Sequence, residues 1–129
     1  MIKVKWISRW LLLSPYCIGV CKSEDQFNRE LKRLKIPPNQ WPDWIGIGND
    51  GKTHFFEKDD KRDSACIVCI RARKGLRKSE MIGLIIHEAV HVWQAIRDEI
   101  GEKDPSQEFE AYSIQTITQR LIEEYYHAL

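Results

Sequence analysis

Residues 84–94 read LIIHEAVHVWQ, and two histidines and a glutamate in an apolar run are the residues here best suited to chemistry. His87 and His91 are four apart, so on an α-helix they lie on one face, one turn apart. Both imidazoles can then reach one ion, with Zn–N distances near ~2.0–2.1 Å. Glu88 lies roughly 100° round the helix from His87 and roughly 60° from His91. It flanks such an ion instead of binding it, and from there it can hold a water and take its proton. The spacing is H-E-x-x-H. Chance would place this pattern in roughly 1% of chains of such composition. Chance also leaves the context unexplained. Met81, Ile82, Leu84, Ile85, Ile86, Ala89 and Val90 make the first half of the helix apolar almost all round. An ionised Glu88 without a partner is costly there.

A catalytic zinc site needs three protein ligands and one open position. The other histidines are His54 and His127, and the position six residues after His91 is Arg97, so no third histidine follows on the same helix. The stretch EFEAYSIQ offers two glutamates, Glu108 and Glu110. Helical periodicity separates them. From Glu110 the steps i+4, i+7 and i+11 reach Ile114, Ile117 and Leu121, a core-facing stripe. From Glu108 they reach Tyr112, Gln115 and Gln119, a solvated face. A carboxylate heading a buried stripe needs a partner, and zinc would supply one; an arginine would be the other choice. The chain can bring it back, since about two turns lead away from His91 and about one and a half return.

The elements that must position these groups form an α+β layout in one domain, residues 1–129. Short β-like runs, IKVKWI and YCIGVC, are broken at Ser14-Pro15. Ser23 with Gln26 forms a capping box, Phe27, Leu31 and Leu34 give that early helix one apolar stripe, and Pro37-Pro38 ends it. WIGIG and KTHFFEK, joined by Asn49-Asp50-Gly51, read as a hairpin. DDKRDS makes a further turn and ACIVCIRA a buried strand. Two packed C-terminal helices follow, the first capped by Ser79 and ending near Asp98. The second is capped by Asp104, with Pro105 at its first position and Gln107 completing the box. The expected sheet is small and antiparallel, and the two helices carry the metal site.

Composition narrows the function. The net charge is +1, from 20 Lys+Arg against 19 Asp+Glu, which gives no reason to expect nucleic acid as a partner. The basic cluster Arg71, Arg73, Lys74, Arg77 and Lys78 reads as a solvated loop. No apolar run approaches the ~20 residues that span a bilayer, so no membrane partner is expected. Lys3, Lys5 and Arg9 precede an apolar stretch. Its core, Trp10–Leu13, is short, Ser14-Pro15 interrupts it, and no small-x-small cleavage site follows, which argues against an export signal and for the cytoplasm. Cys17, Cys21, Cys66 and Cys69 could make two disulfides or a zinc site. Cys66 and Cys69, three apart on a strand, point to opposite faces, so buried reduced thiols are the expectation.

With HEAVHVWQ and EFEAYSIQ in view, residues 79–125 resemble the gluzincins, zinc peptidases of the thermolysin and aminopeptidase kind. Eighteen residues lie between His91 and Glu110, a spacing that resembles the aminopeptidase branch. The resemblance implies a zincin-like fold, a zinc cofactor held by His87, His91 and Glu110, Glu88 as catalytic base, and a peptide or protein substrate. The substrate-amine motif of the aminopeptidases and the two-domain cleft of thermolysin are missing, so this would be a minimal metallopeptidase core. The same two stretches resemble small zincin-like proteins encoded by tailed phages and prophages, which implies a host cytoplasm and a phage particle or host protein as a further partner. The oxyanion donor is open among His54, Tyr112 and Tyr125, and the strand THFFEK is a candidate edge for pairing with an extended substrate. Two rival readings keep a zinc without catalysis: a phage structural or assembly protein, and a module that binds a host protein. Retention of Glu88 speaks for the enzyme, since a structural site needs no base. The periodicity argument is tested by titrating Glu110→Ala and Glu108→Ala with zinc against a competing chelator. Glu110→Ala should lose more than the ~10–100-fold typical of residues behind the ligands, and Glu108→Ala should change little; the reverse order refutes the assignment.

Overall fold

The computed structural model describes residues 3, 4, 6 and 14–127. Its elements are strand β1 (Cys17–Cys21), helix α1 (Glu24–Arg33), strands β2 (Gly51–Phe56) and β3 (Ala65–Ile70), and helices α2 (Lys78–Glu99) and α3 (Gln107–His127). The α+β class expected from the sequence is the one observed. The apolar stretch Trp10–Leu13 and most of IKVKWI lie outside the described residues. Among the described residues no helix is long and apolar enough to cross a membrane.

The strands form one sheet in the order β1-β3-β2. The expected antiparallel sheet is corrected to a mixed one: β1 runs parallel to β3, with Cys17 beside Ala65 and Cys21 beside Cys69, and β2 runs antiparallel to β3, with Thr53 beside Val68. The parallel pair has a physical reason. The connection from β1 to β3 carries α1 over one face of the sheet, and a crossover of that length brings the chain back in the same direction. The hairpin expectation is corrected too. WIGIG forms no strand, and β2 pairs with β3 through the polar turn at 57–64. ACIVCI is apolar throughout, so it takes the central place, where both faces are covered and both edges are paired.

Alternation along β1 and β3 makes two cores. Ile18, Val20, Cys66, Val68 and Ile70 face α2 and α3, where they meet Ile85, Ala89, Val92, Trp93, Ile117 and Leu121. Cys21, Ala65, Ile67 and Cys69 face Phe27 and Leu31 of α1 together with Ile36 and Ile45. Cys66 and Cys69 thus lie on opposite faces, and all four cysteines are free thiols. Burial pushes the Cys21 thiol up to about 12 and raises Cys66 and Cys69 as well, which keeps them protonated and inert.

Helix ends follow side-chain hydrogen bonds. Ser23 Oγ accepts from Gln26 N–H at 3.1 Å, as its position before Phe27 predicts. Gln26 Oε1 accepts from Lys22 N–H at 2.7 Å. The other two caps are corrected. Helix α2 begins one residue before Ser79, and the Glu80 carboxylate accepts the Arg77 N–H at 3.2 Å. Helix α3 is capped by Ser106, whose Oγ accepts from Phe109 N–H at 3.2 Å, and not by Asp104. Two substitutions test the layering by urea denaturation. Ile67→Ala, in the fully buried centre of β3, should cost about 2–5 kcal/mol. Ile47→Ser, fully exposed in the preceding loop, should stay within about 0.5 kcal/mol; similar losses at the two positions would contradict this core.

Candidate metal centre

Helix α2 lies across the sheet with strand β2, the sheet's edge, running beneath its histidine face. Gly51, Thr53 and Phe55 alternate onto that side of β2, while His54 and Phe56 turn to the α1 side. The turn before β2 is tied down by arginines. Arg71 N–H donates to Asp50 O at 2.8 Å and its Nη1 to Asn49 O at 3.2 Å. The Arg73 guanidinium holds both Asp50 oxygens at 2.9–3.3 Å. The part of the basic cluster expected to be plain solvated loop therefore has this local job. Gly51 comes so close to α2 that a Cβ there would stand 2.8 Å from Leu84 Cδ1 and 3.1 Å from Glu88 Oε2.

The three motif residues come together. His87 Nε2 and His91 Nε2 are 3.2 Å apart, both rings exposed. Two nitrogens bound to one tetrahedral zinc at ~2.0–2.1 Å would stand roughly 3.3–3.4 Å apart. The pair therefore already has the spacing that a shared ion demands. His91 Nδ1 faces Gln94 Oε1 at 3.2 Å. Donating its Nδ1–H there leaves the Nε2 lone pair turned toward His87, the arrangement in which a ligating histidine is oriented from behind. Glu88, only 3% exposed, sits in the same cavity. Its Oε1 accepts from Thr53 Oγ1 at 2.7 Å. That bond supplies the partner its burial requires, and Oε2 lies over Gly51.

Glu110 stands apart from this group. Its Oε2 accepts from the Trp93 indole Nε1–H at 2.9 Å and lies 3.8 Å from Arg97 Nη1. Trp93 follows His91 by two residues, roughly 200° round the helix, and so faces away from the histidines, while Arg97, roughly 80° from His87 and roughly 120° from His91, lies to their side. Trp93 is buried and its N–H needs an acceptor, which is the physical reason for the contact. The buried stripe of α3 runs Ser113, Ile117, Leu121 and Tyr125, with Glu110 half-buried at its head and Glu108 exposed. Among the described residues no group of three or more His, Cys, Asp or Glu side chains stands close enough to hold a metal. The two histidines stand at a spacing that one ion could bridge, and the glutamate expected as third ligand is bonded elsewhere.

None of the three candidate oxyanion donors lines the cavity. His54 is buried on the opposite face, stacked on Phe27 with Nε2 2.9 Å from Trp44 O, and burial lowers its pKa. Tyr125 is buried at the far end of α3 and Tyr112 is exposed on it. Beyond the motif and the strand THFFEK, the cavity is lined by Asn49, Gly51, Lys52, Gln94, Ala95 and Asp98, and the bond from Thr53 to Glu88 was not foreseen either. Gln94 and Asp98 carried a signal, since steps of three and seven from His91 keep one helix face. Asn49 and Thr53 carried none, because their place depends on how β2 meets α2.

Compared with protein-family models, curated proteins and solved structures, the chain matches none of them. The site's case rests on its own geometry. Protein purified without chelator and then offered zinc should retain one equivalent by elemental analysis; less than about a tenth would refute a metal centre. Gln94→Leu should weaken zinc binding by roughly 10–100-fold, and an unchanged affinity would show that the His91–Gln94 contact orients nothing.

Proposed function

We propose that the protein is a zinc-dependent peptide hydrolase. The observation that carries this reading is the convergence of His87 and His91 at 3.2 Å beside a buried carboxylate, Glu88, held by Thr53. The two histidines would hold the ion. Glu110 would complete the set only by exchanging its bond to Trp93 Nε1 for the metal. Zinc bound there lowers the pKa of water toward ~7 and polarises a carbonyl.

The chain's own residues supply the rest. Thr53 fixes one oxygen of Glu88, and the other lies over Gly51 in the same cavity as the histidines. Glu88 takes the proton of the attacking water and passes it to the leaving amine. Gln94 keeps His91 turned toward the site. Strand β2 is the edge of its sheet, and its free side offers backbone groups to an extended peptide. Asn49 and Lys52 line the cavity and bring N–H donors to it. The substrate is a peptide or protein. The sequence resemblance supports a cytoplasmic setting, a host's if the chain is phage-encoded.

The rival reading, a zinc-bearing assembly or host-binding protein without catalysis, gains no observation of its own from the cavity. Glu88→Gln separates the two. Gln keeps the shape and can still accept from Thr53, so the variant should bind zinc as the parent does and lose at least about a hundredfold in peptide hydrolysis, the lower range of general-base contributions. Cleavage at the parental rate would remove Glu88 from the chemistry, and loss of zinc would make it a ligand. A chelator-sensitive activity in the parent, measured on a fluorogenic peptide library, is expected; its absence with zinc bound favours the rival.

A further inference from the structure

The open space around Glu88 continues past the histidines in both directions. Two cavities, of about 510 and about 410 Å³, share Asn49, Gly51, His87 and Glu88, and so form one groove with an arm on each side of the site. The first arm passes Phe55 and Ala95 to reach Asp98 near the C-terminal end of α2. The second passes Gly83 and Leu84 to reach Glu80 near the N-terminal end. Each arm ends at a carboxylate on its far rim.

Distance decides what those carboxylates can grip. Asp98 lies seven residues beyond His91 and Glu80 seven before His87, each roughly 10 Å along the helix at ~1.5 Å per residue. An extended chain advances ~3.3–3.6 Å per residue, so each carboxylate stands about three residues from the reacting position. That is too far to hold the terminus of a residue next to the bond. Arg73, at the rim of the second arm, is already taken by Asp50. Lys52 also lines the first arm, reaching it from the strand position next to Thr53. The length of lining on either side of the histidines, and not an absence of charge, is what speaks for a chain that continues past the site.

Gly83 adds an independent observation. It is exposed in the helical run of α2, where glycine costs roughly 0.5–1 kcal/mol relative to alanine. Its φ is not positive, and a Cβ there would meet nothing within 4 Å. Neither conformation nor packing calls for glycine, in contrast to Gly51 pressed under Leu84. Its effect is to leave the floor of the second arm low, one turn before His87.

We propose that the groove takes an extended polypeptide along both arms, so that the bond acted on is internal, and that Gly83 sets the size limit of the arm beyond His87. The internal bond rests on the hydrolase reading; the binding of the chain does not. The test uses the zinc-loaded protein and a random decapeptide pool blocked at both ends, beside aminoacyl fluorophores and free dipeptides. Cleavage of the blocked pool at internal bonds, at least tenfold faster than of the short free substrates, is expected. Faster cleavage of the short substrates overturns the proposal and leaves the hydrolase intact. Binding is read separately, by fluorescence anisotropy of labelled members of the blocked pool on the Glu88→Gln protein. No saturable binding overturns the proposal, whatever the activity. Saturable binding with no hydrolysis by the parent retains the groove as a polypeptide site and removes the hydrolase. Gly83→Gln and Gly83→Phe should weaken the decapeptides at least tenfold, with a smaller loss for peptides shortened on that side and with zinc content and circular dichroism unchanged. Gln is a good helix former and remains informative if Phe does not fold. Parental affinity in a folded variant overturns the assignment of Gly83.

Discussion

The burial of one carboxylate organises this molecule. Glu88 is enclosed between a helix and a strand, where an unpaired charge would be expensive, and the neighbourhood is arranged to accept it. Thr53 presents a hydroxyl, Gly51 leaves room for Leu84 and the carboxylate, and β2 lies at an edge of the sheet with its alternating residues turned to α2. These features set β2 against α2, and the all-apolar β3 fixes the rest of the sheet around it. The histidines need no such support. They sit on the exposed face of a helix that is anchored by Ile85, Ala89, Val92 and Ile96 on its other side, so burial of one face leaves the other free for chemistry.

What the sequence made legible was whatever depends on spacing within one element. The histidine pair, the flanking place of Glu88, the Ser23 cap and the stripe of Phe27 and Leu31 all follow from helix geometry. The opposite faces of Cys66 and Cys69 follow from strand geometry. What stayed hidden depends on where elements meet. Asn49-Asp50-Gly51 looked like a hairpin turn because it precedes a strand, but the partner of that strand lies after it, and WIGIG packs through Trp44 and Ile45 against the α1 layer. Thr53 gave no sign of its role, since a threonine in a strand is ordinary. Local capping rules also misplaced two helix starts by a residue or two, where Glu80 and Ser106 served instead of Ser79 and Asp104.

Glu110 shows two legitimate demands on one side chain. Periodicity placed it at the head of the buried stripe, which is close to where it is found, half-buried above Ile114 and Ile117. Periodicity could not see that Trp93, on the neighbouring helix, also lacks an acceptor. Leaving a buried donor unsatisfied costs about 1–3 kcal/mol. Any other partner for this carboxylate would have to offset that loss. Arg97 beside the same oxygen adds a charge contact at 3.8 Å, half-exposed and correspondingly modest.

The parallel pairing of β1 with β3 has a consequence for how the molecule comes into being. That pairing joins Cys17 to Ala65 and Cys21 to Cys69 across the first half of the chain, a nonlocal closure that is slow to search. Helices α2 and α3 are neighbours in sequence, joined by a short turn, and can pair early. The pairing of β2 with β3 is local as well, closed through the turn at 57–64, so Thr53 and Gly51 can be in place without β1. The helix that carries the histidines and the strand that carries the hydroxyl thus each belong to a local unit, and the slow search is the closure of β1 onto the far side of β3.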